Sequence, residues 1–212
     1  MAIQKTVGLL LKKRDLRETS LIVSYFTRDF GKINGVLKGA RGSRARSVIK
    51  PLFFSLDQVV FYENKRDIFT ISQCETERIF LNILQDWDRA HIAYYIIELV
   101  DIFTEPGSED KGLFENMLNA FISLDNKKEP LSVARLFEVK FLGSLGLWPG
   151  RDMYKLTKGA MSTLKNFEES NWELSSKIKL ASDVEQEIRN VTEDIINKNL
   201  DRPLKTSKVF KG

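Results

Sequence analysis

Between Asp29 and Asp57 the sequence holds no acidic residue and six basic ones: Lys32, Lys38, Arg41, Arg44, Arg46 and Lys50. The centre of that stretch, residues 38–46, reads KGARGSRAR and interleaves its cations with small residues. Small residues let a backbone come close, and arginine forks pair with phosphate oxygens in a bidentate way. A second cluster, Lys12, Lys13 and Arg14 with Arg17 behind it, lies upstream. Together they suit a grip on a nucleic-acid backbone that tolerates any base sequence; the plainer alternative is a solvated basic loop. Residues 39–44, GARGSR, do not make a phosphate-binding P-loop. That motif closes on Gly-Lys-Ser/Thr and opens a helix, whereas this chain runs on to Pro51. Lys127 with Lys128, and the tail over residues 202–212 with four bases, are further cationic spots, auxiliary phosphate contacts or solubilising charge.

Little else in the chain can do bond-making chemistry. The single histidine, His91, would have to act alone as a base, and its place near the start of a helical segment suits packing. The single cysteine, Cys74, rules out an internal disulfide and any zinc site needing two thiolates from this chain. It reads as a small, half-buried residue near a domain junction. No pair of acids has a spacing that suggests general acid–base work, so the expectation is a protein without catalytic activity or cofactor.

The elements that must position these cations fall into two textures. Residues 4–12, 20–27, 31–38, 56–63 and 67–73 are rich in Val, Ile, Leu, Phe and Thr and read as strands. Residues 28–31 suit a tight hairpin with Gly31 at positive φ, and residues 39–51 form a longer connection. A small barrel protects the edges of five such strands, and five strands with one long connection match an OB-fold. The cations Lys12, Lys13 and Arg14 then fall in the turn after the first strand. Tyr25, Phe26, Phe53, Phe54, Phe61, Tyr62 and Phe69 are available either as core or as stacking platforms for bases.

From residue 80 onward the apolar spacing is helical. Ile92, Tyr95, Ile96, Leu99, Val100 and Phe103 mark one helix, ended by Pro106 and Gly107. Leu113 to Ile122 mark a second, broken over residues 126–130, and Leu136 to Leu145 a third. Residues 155–167 are a weaker candidate. Asp183 with Gln186 reads as a capping box for a last helix running to about Asn199. The expected architecture is β + α, an N-terminal five-stranded OB-fold barrel over residues 1–80 followed by an all-helical domain over 81–212. The charge follows the same division. Residues 1–80 carry 15 Lys/Arg against 8 Asp/Glu, a net +7, and residues 81–212 carry 18 against 21, a net −3. A polyanion partner for the first part is the natural reading. Over all 212 residues, 42% are hydrophobic and 29% charged, which is globular composition. No apolar run reaches the roughly 20 residues of a membrane helix, and a soluble cytoplasmic protein without membrane contact is expected.

Several segments, in order along the chain, resemble one family. Residues 8–23 (GLLLKKRDLRETSLIV), 26–33 (FTRDFGKI), 36–46 (VLKGARGSRAR), the Lys50-Pro51-Leu52 step, 135–146 (RLFEVKFLGSLG) and 199–207 (NLDRPLKTS) are similar to the blocks of the RecO recombination mediators. The resemblance implies an N-terminal OB-fold, a helical C-terminal domain, binding of single- and double-stranded DNA, and annealing of complementary strands without nucleotide hydrolysis. It also implies work with RecR, indirect help to RecA on DNA coated by the single-stranded-DNA-binding protein SSB, docking of the acidic SSB C-terminal tail, and a bacterial, nucleoid-associated location. Many relatives carry a four-cysteine zinc module after the "LG" helix. Here residues 147–157 run straight toward the next helix, so zinc is not carried over.

The DNA-binding candidates are therefore Lys12, Lys13, Arg14, Lys32, Lys38, Arg41, Arg44, Arg46 and Lys50. By resemblance the SSB tail is expected on the helix carrying Arg135, with Arg135 holding a carboxylate and Leu136 and Val139 taking an apolar end. Composition and the basic loop permit an OB-fold RNA-binding or ribosome-associated module equally well; only the family resemblance separates the two.

Overall fold

The computed structural model describes residues 2–40, 51–62 and 68–206. Five strands, β1 (Ile3–Leu16), β2 (Ser20–Thr27), β3 (Gly31–Leu37), β4 (Ser55–Tyr62) and β5 (Phe69–Ile79), close into a barrel in the order β1-β2-β3-β5-β4. Only β3 and β5 run parallel; β1 is antiparallel to both β2 and β4. The expected N-terminal barrel followed by helices is present. Its closure leaves β1 no unpaired edge. Gly31 turns the β2–β3 hairpin at φ 59°, and Ser108 backbone atoms occupy the space a side chain would need. Gly35 lets β3 approach β5, since a Cβ there would stand 2.6 Å from Ile71 Cγ1.

Two strands are longer than their sequence patterns suggest. β1 stays paired with β2 as far as Leu16↔Ser20, so Lys12, Lys13 and Arg14 lie within a strand and not in a turn. A bulge at Leu11 shifts the register there and lets Leu9, Leu10 and Leu11 all be buried. β5 continues to Ile79, which places Cys74 opposite Val59 and inside the barrel instead of at a junction. The core contains Leu10, Val23, Tyr25, Ile33, Val59, Phe61 and Ile71. It also holds a carboxylate, Asp57, which is fully buried. Tyr25 Oη (2.7 Å), Ser55 Oγ (2.8 Å) and Thr76 Oγ1 (2.9 Å) donate to Asp57, which satisfies the buried acid. Burial first, and Asp57 second, push the Cys74 thiol up to about 12.

The helices are α1 (Leu81–Leu84), α2 (Trp87–Phe103), α3 (Lys111–Asp125), α4 (Pro130–Ser144), α5 (Lys158–Glu169), α6 (Trp172–Ser175) and α7 (Ser182–Lys198), with a 3-10 turn over Arg151–Met153. The chain divides into two compact units that interleave in sequence. One takes Met1–Leu81 with Ile97–Phe114, the other Asn82–Ile96 with Glu115–Gly212. The first unit gains the later segment through specific contacts. Phe26 meets Phe114 at 6.3 Å, Arg28 lies over the Phe114 ring, and Gly107 N donates to Lys32 O at 2.9 Å.

In the second unit, α4 packs against α5 and α7 around Leu136, Val139, Ala160, Leu164, Phe167 and Ile188. Pro130 starts α4 instead of only breaking the preceding helix: it occupies the first turn, and Glu129 caps it by accepting from Ser132 N at 3.1 Å. The capping box expected at Asp183 is not formed. The N-cap of α7 is Ala181, without a side-chain bond, and Gln186 reaches forward to Asn190 at 2.8 Å. Asp183 and Glu185 in the first turn still favour the positive helix end.

Candidate nucleic-acid interface

The cations gather where β1 ends, β2 begins and β3 ends. Arg14 pairs with Ile22, Asp15 with Leu21, and Leu21 with Leu37, so Lys38 leaves the sheet at the end where Lys13 and Arg14 lie. Side chains alternate along a strand, and directly paired residues share a face. Lys13 pairs with Val23, a core residue, and so lies on the inward side at the mouth of the barrel. Lys12 and Arg14, paired with Ser24 and Ile22, lie on the outward side. The three consecutive cations are thus split between two faces.

Each cation has its own surroundings. Lys13 is exposed; its Nζ donates to Pro51 O at 3.0 Å and sits 5.2 Å from the centre of the Phe53 ring. It thereby ties Pro51 and Phe53 to the end of β1. Arg14 and Lys38 are exposed and make no ion pair with the described residues. Lys12 has a 62% exposed side chain and pairs with Asp101. Arg41, Arg44, Arg46 and Lys50 lie outside the described residues. The segment carrying them departs after Ala40, which is buried, and returns at Pro51 beside Lys13.

Lys32 does not belong with this surface. It is only 9% exposed, its Nζ donates to Asp101 O at 2.8 Å, and Asp101 Oδ1 lies 3.8 Å away. Burial lowers its pKa, and the Asp101 charge opposes that shift. A lysine held this way supports the barrel unit and is not displayed to a phosphate. The pattern of sequence around it carries no sign of this, because its partner lies 69 residues along the chain.

The aromatic candidates also separate. Tyr25, Phe26, Phe54 and Phe61 are buried, whereas Phe53, Tyr62 and Phe69 keep part of their surface in solvent. Only the latter group can meet a base. Phe69 is tied to Phe61 at 5.1 Å and Phe53 to the Lys13 ammonium.

The expected tail-docking residues are corrected by the structure. Arg135 and Leu136 are fully buried and Val139 is 2% exposed. Arg135 Nη1 donates to Glu138 Oε2 at 2.8 Å, and Nε lies 3.2 Å from Glu185 Oε1. Glu138 also accepts from Tyr95 Oη (2.7 Å) and Thr192 Oγ1 (2.5 Å). Burial raises the pKa of Glu138 while the Arg135 charge lowers it. This is a buried ion-pair network at the centre of the helical unit, and none of the three residues presents surface to a peptide. Their helical spacing is the same for a core face and a docking face, so sequence alone did not separate them.

His91 stands beside Trp87, ring centres 5.6 Å apart, as a helix-face residue. Among the described residues no three His, Cys, Asp or Glu side chains come together as a metal site, and no helix is long and apolar enough to cross a membrane.

Comparison with known proteins bears on both parts of the chain. Residues 1–80 match the family description "Recombination protein O N terminal", and residues 84–152 match "Recombination protein O C terminal". The chain is 35% identical over 147 residues to the DNA repair protein RecO of Alkaliphilus metalliredigens, covering 68% of this chain and 59% of that protein. It is 29% identical over 169 residues to its namesake from Syntrophus aciditrophicus, covering 78% and 64%. A third, from Caldicellulosiruptor saccharolyticus, is 28% identical over 223 residues, covering 97% and 90%. The matches thus span less than two thirds of the first two relatives' own length.

Proposed function

Because the chain belongs to the RecO family, we propose that it is a DNA repair and recombination protein that binds single- and double-stranded DNA through the cationic end of its barrel and anneals complementary strands. The observation that supports this reading most is the display of Lys12, Lys13, Arg14 and Lys38 where the 41–50 segment departs and returns. Cations so placed neutralise phosphates on one or two strands and lower the repulsion between them. They contact backbone rather than base edges, so base pairing itself selects the partner strand. No step in this process breaks a covalent bond, which agrees with a role without catalysis.

The family also supports RecR, the SSB tail and, through them, RecA as partners in the bacterial cytoplasm. A tail site on the helical unit uses residues other than the buried Arg135, Leu136 and Val139. The test of the main reading is strand annealing by the wild-type chain against Arg41→Ala/Arg44→Ala/Arg46→Ala and against Lys13→Ala/Arg14→Ala/Lys38→Ala. Both variants should anneal more slowly at unchanged thermal stability. Annealing at the wild-type rate by both would overturn the proposal. Competition between matched DNA and RNA oligomers addresses the OB-fold RNA-binding alternative, and preferential retention of RNA would favour it.

A further inference from the structure

Among the described residues, Asp101 is the carboxylate that the structure places on two of the cations singled out from the sequence, Lys12 and Lys32. It stands near the end of α2, within the segment 97–114 that belongs to the barrel unit. Its side chain is 8% exposed. Lys12 approaches Oδ2 from solvent, with 62% of its own side chain exposed, and Lys32 approaches Oδ1 at 3.8 Å from a buried position. The two lysines differ in how firmly they are held. Lys32 is anchored by a second bond, from Nζ to the Asp101 backbone oxygen at 2.8 Å. Lys12 has a long flexible stem, a strongly hydrated head and, among the described residues, no second anchor.

We propose that Asp101 is a resident counter-ion for Lys12 that competes with nucleic-acid phosphate for its ammonium group, and so sets how tightly the barrel unit grips a polyanion. This rests on the reading of that unit as a nucleic-acid binder. Lys12 can leave Asp101 at small cost, because Lys32 stays behind and keeps the buried carboxylate compensated. The Lys12 charge also disfavours the protonated form of buried Lys32, so its departure toward a phosphate strengthens the remaining Lys32–Asp101 pair. Sequence could not show this arrangement, since Asp101 lies 89 positions beyond Lys12 and inside what reads as a separate helical region.

The magnitude follows from exposed ion pairs, whose coupling of about 0.2–1 kcal/mol corresponds to a factor of about 1.4–5 in affinity. Four proteins close the test: wild type, Lys12→Ala, Asp101→Asn and the double variant, titrated against labelled oligothymidylate by fluorescence anisotropy at one salt concentration. Asp101→Asn should bind tighter by about 1.4–5-fold, and the gain should vanish in the Lys12→Ala background. An equal gain in both backgrounds would show a general field effect and overturn the inference, as would no gain from a folded Asp101→Asn protein. Should Asp101→Asn fail to fold because Lys32 is left buried without its partner, Lys32→Met/Asp101→Asn removes both charges, and the same comparison is made with and without Lys12. If the wild-type chain does not bind the oligothymidylate, the nucleic-acid reading itself fails. If it binds and Asp101→Asn does nothing, only the role of Asp101 fails.

Discussion

The salt dependence of binding is the quantity on which the barrel surface makes its firmest commitment. Six phosphate contacts, the number of bases between Asp29 and Asp57, would give a log–log slope near −0.7 × 6, or about −4, on single strands. The structure changes which residues count. Lys32 leaves that tally because it is buried on Asp101, while Lys12, Lys13 and Arg14, exposed like Lys38, join it, which makes eight contacts and a slope near −0.7 × 8, about −5.6. Replacing these four with Ala should therefore make the slope shallower by 0.7 × 4, about 2.8. Between about 50 and 200 mM salt that share of the affinity falls about 50-fold in the wild type and is absent from the variant. The assay is anisotropy of a labelled oligothymidylate across a salt series, with circular dichroism to show that the fold is kept. Lys32→Met/Asp101→Asn, which removes the buried lysine together with its carboxylate, is the internal control and should leave the slope unchanged. A four-residue variant with a wild-type slope would refute the reasoning, and so would a folded Lys32→Met/Asp101→Asn protein that loses as much slope as an exposed site.

Four further outcomes concern the two cores. Arg135→Leu should destabilise the helical unit by about 3–5 kcal/mol, the cost of leaving a buried partner charge uncompensated; urea denaturation measures it, and a loss below 1 kcal/mol would contradict the buried Arg135–Glu138 pair. The folded Cys74 thiol stays protonated to about 12 against 9.0 for the ordinary group, so the unfolded chain binds fewer protons above that ordinary value. Stability should then fall by about 1.4 kcal/mol per pH unit over that window from this group alone, and the decline should flatten in Cys74→Ala. Iodoacetamide should label Cys74 only as fast as the barrel opens. Gly35→Ala puts a Cβ 2.6 Å from Ile71 Cγ1 and should cost about 1–3 kcal/mol by overpacking; in an Ile71→Ala background, which lacks Cγ1 and Cδ1, the same substitution should cost less, and an unchanged cost would show that the strain lies elsewhere.

Much of this protein was legible along the chain because its signals are local. Period-two runs, the Gly31 hairpin and the helical spacing after residue 80 depend on neighbours within a few positions, and they set the order of a barrel followed by helices. The clustering of cations without acids between Asp29 and Asp57 is likewise a property of composition, and it pointed to a polyanion before any fold was known. What the tertiary structure alone decided is which of those charges remain available. Lys32 and Asp101, Arg135 and Glu185, and Tyr25 and Asp57 meet across long separations. A basic residue in sequence carries no mark of whether a distant carboxylate will desolvate and hold it. The same limit applies to Leu136 and Val139, since apolar spacing says that a helix has a hydrophobic face and not whether another helix covers it. Electrostatic and hydrophobic partners are chosen by proximity in space, and only folding creates that proximity.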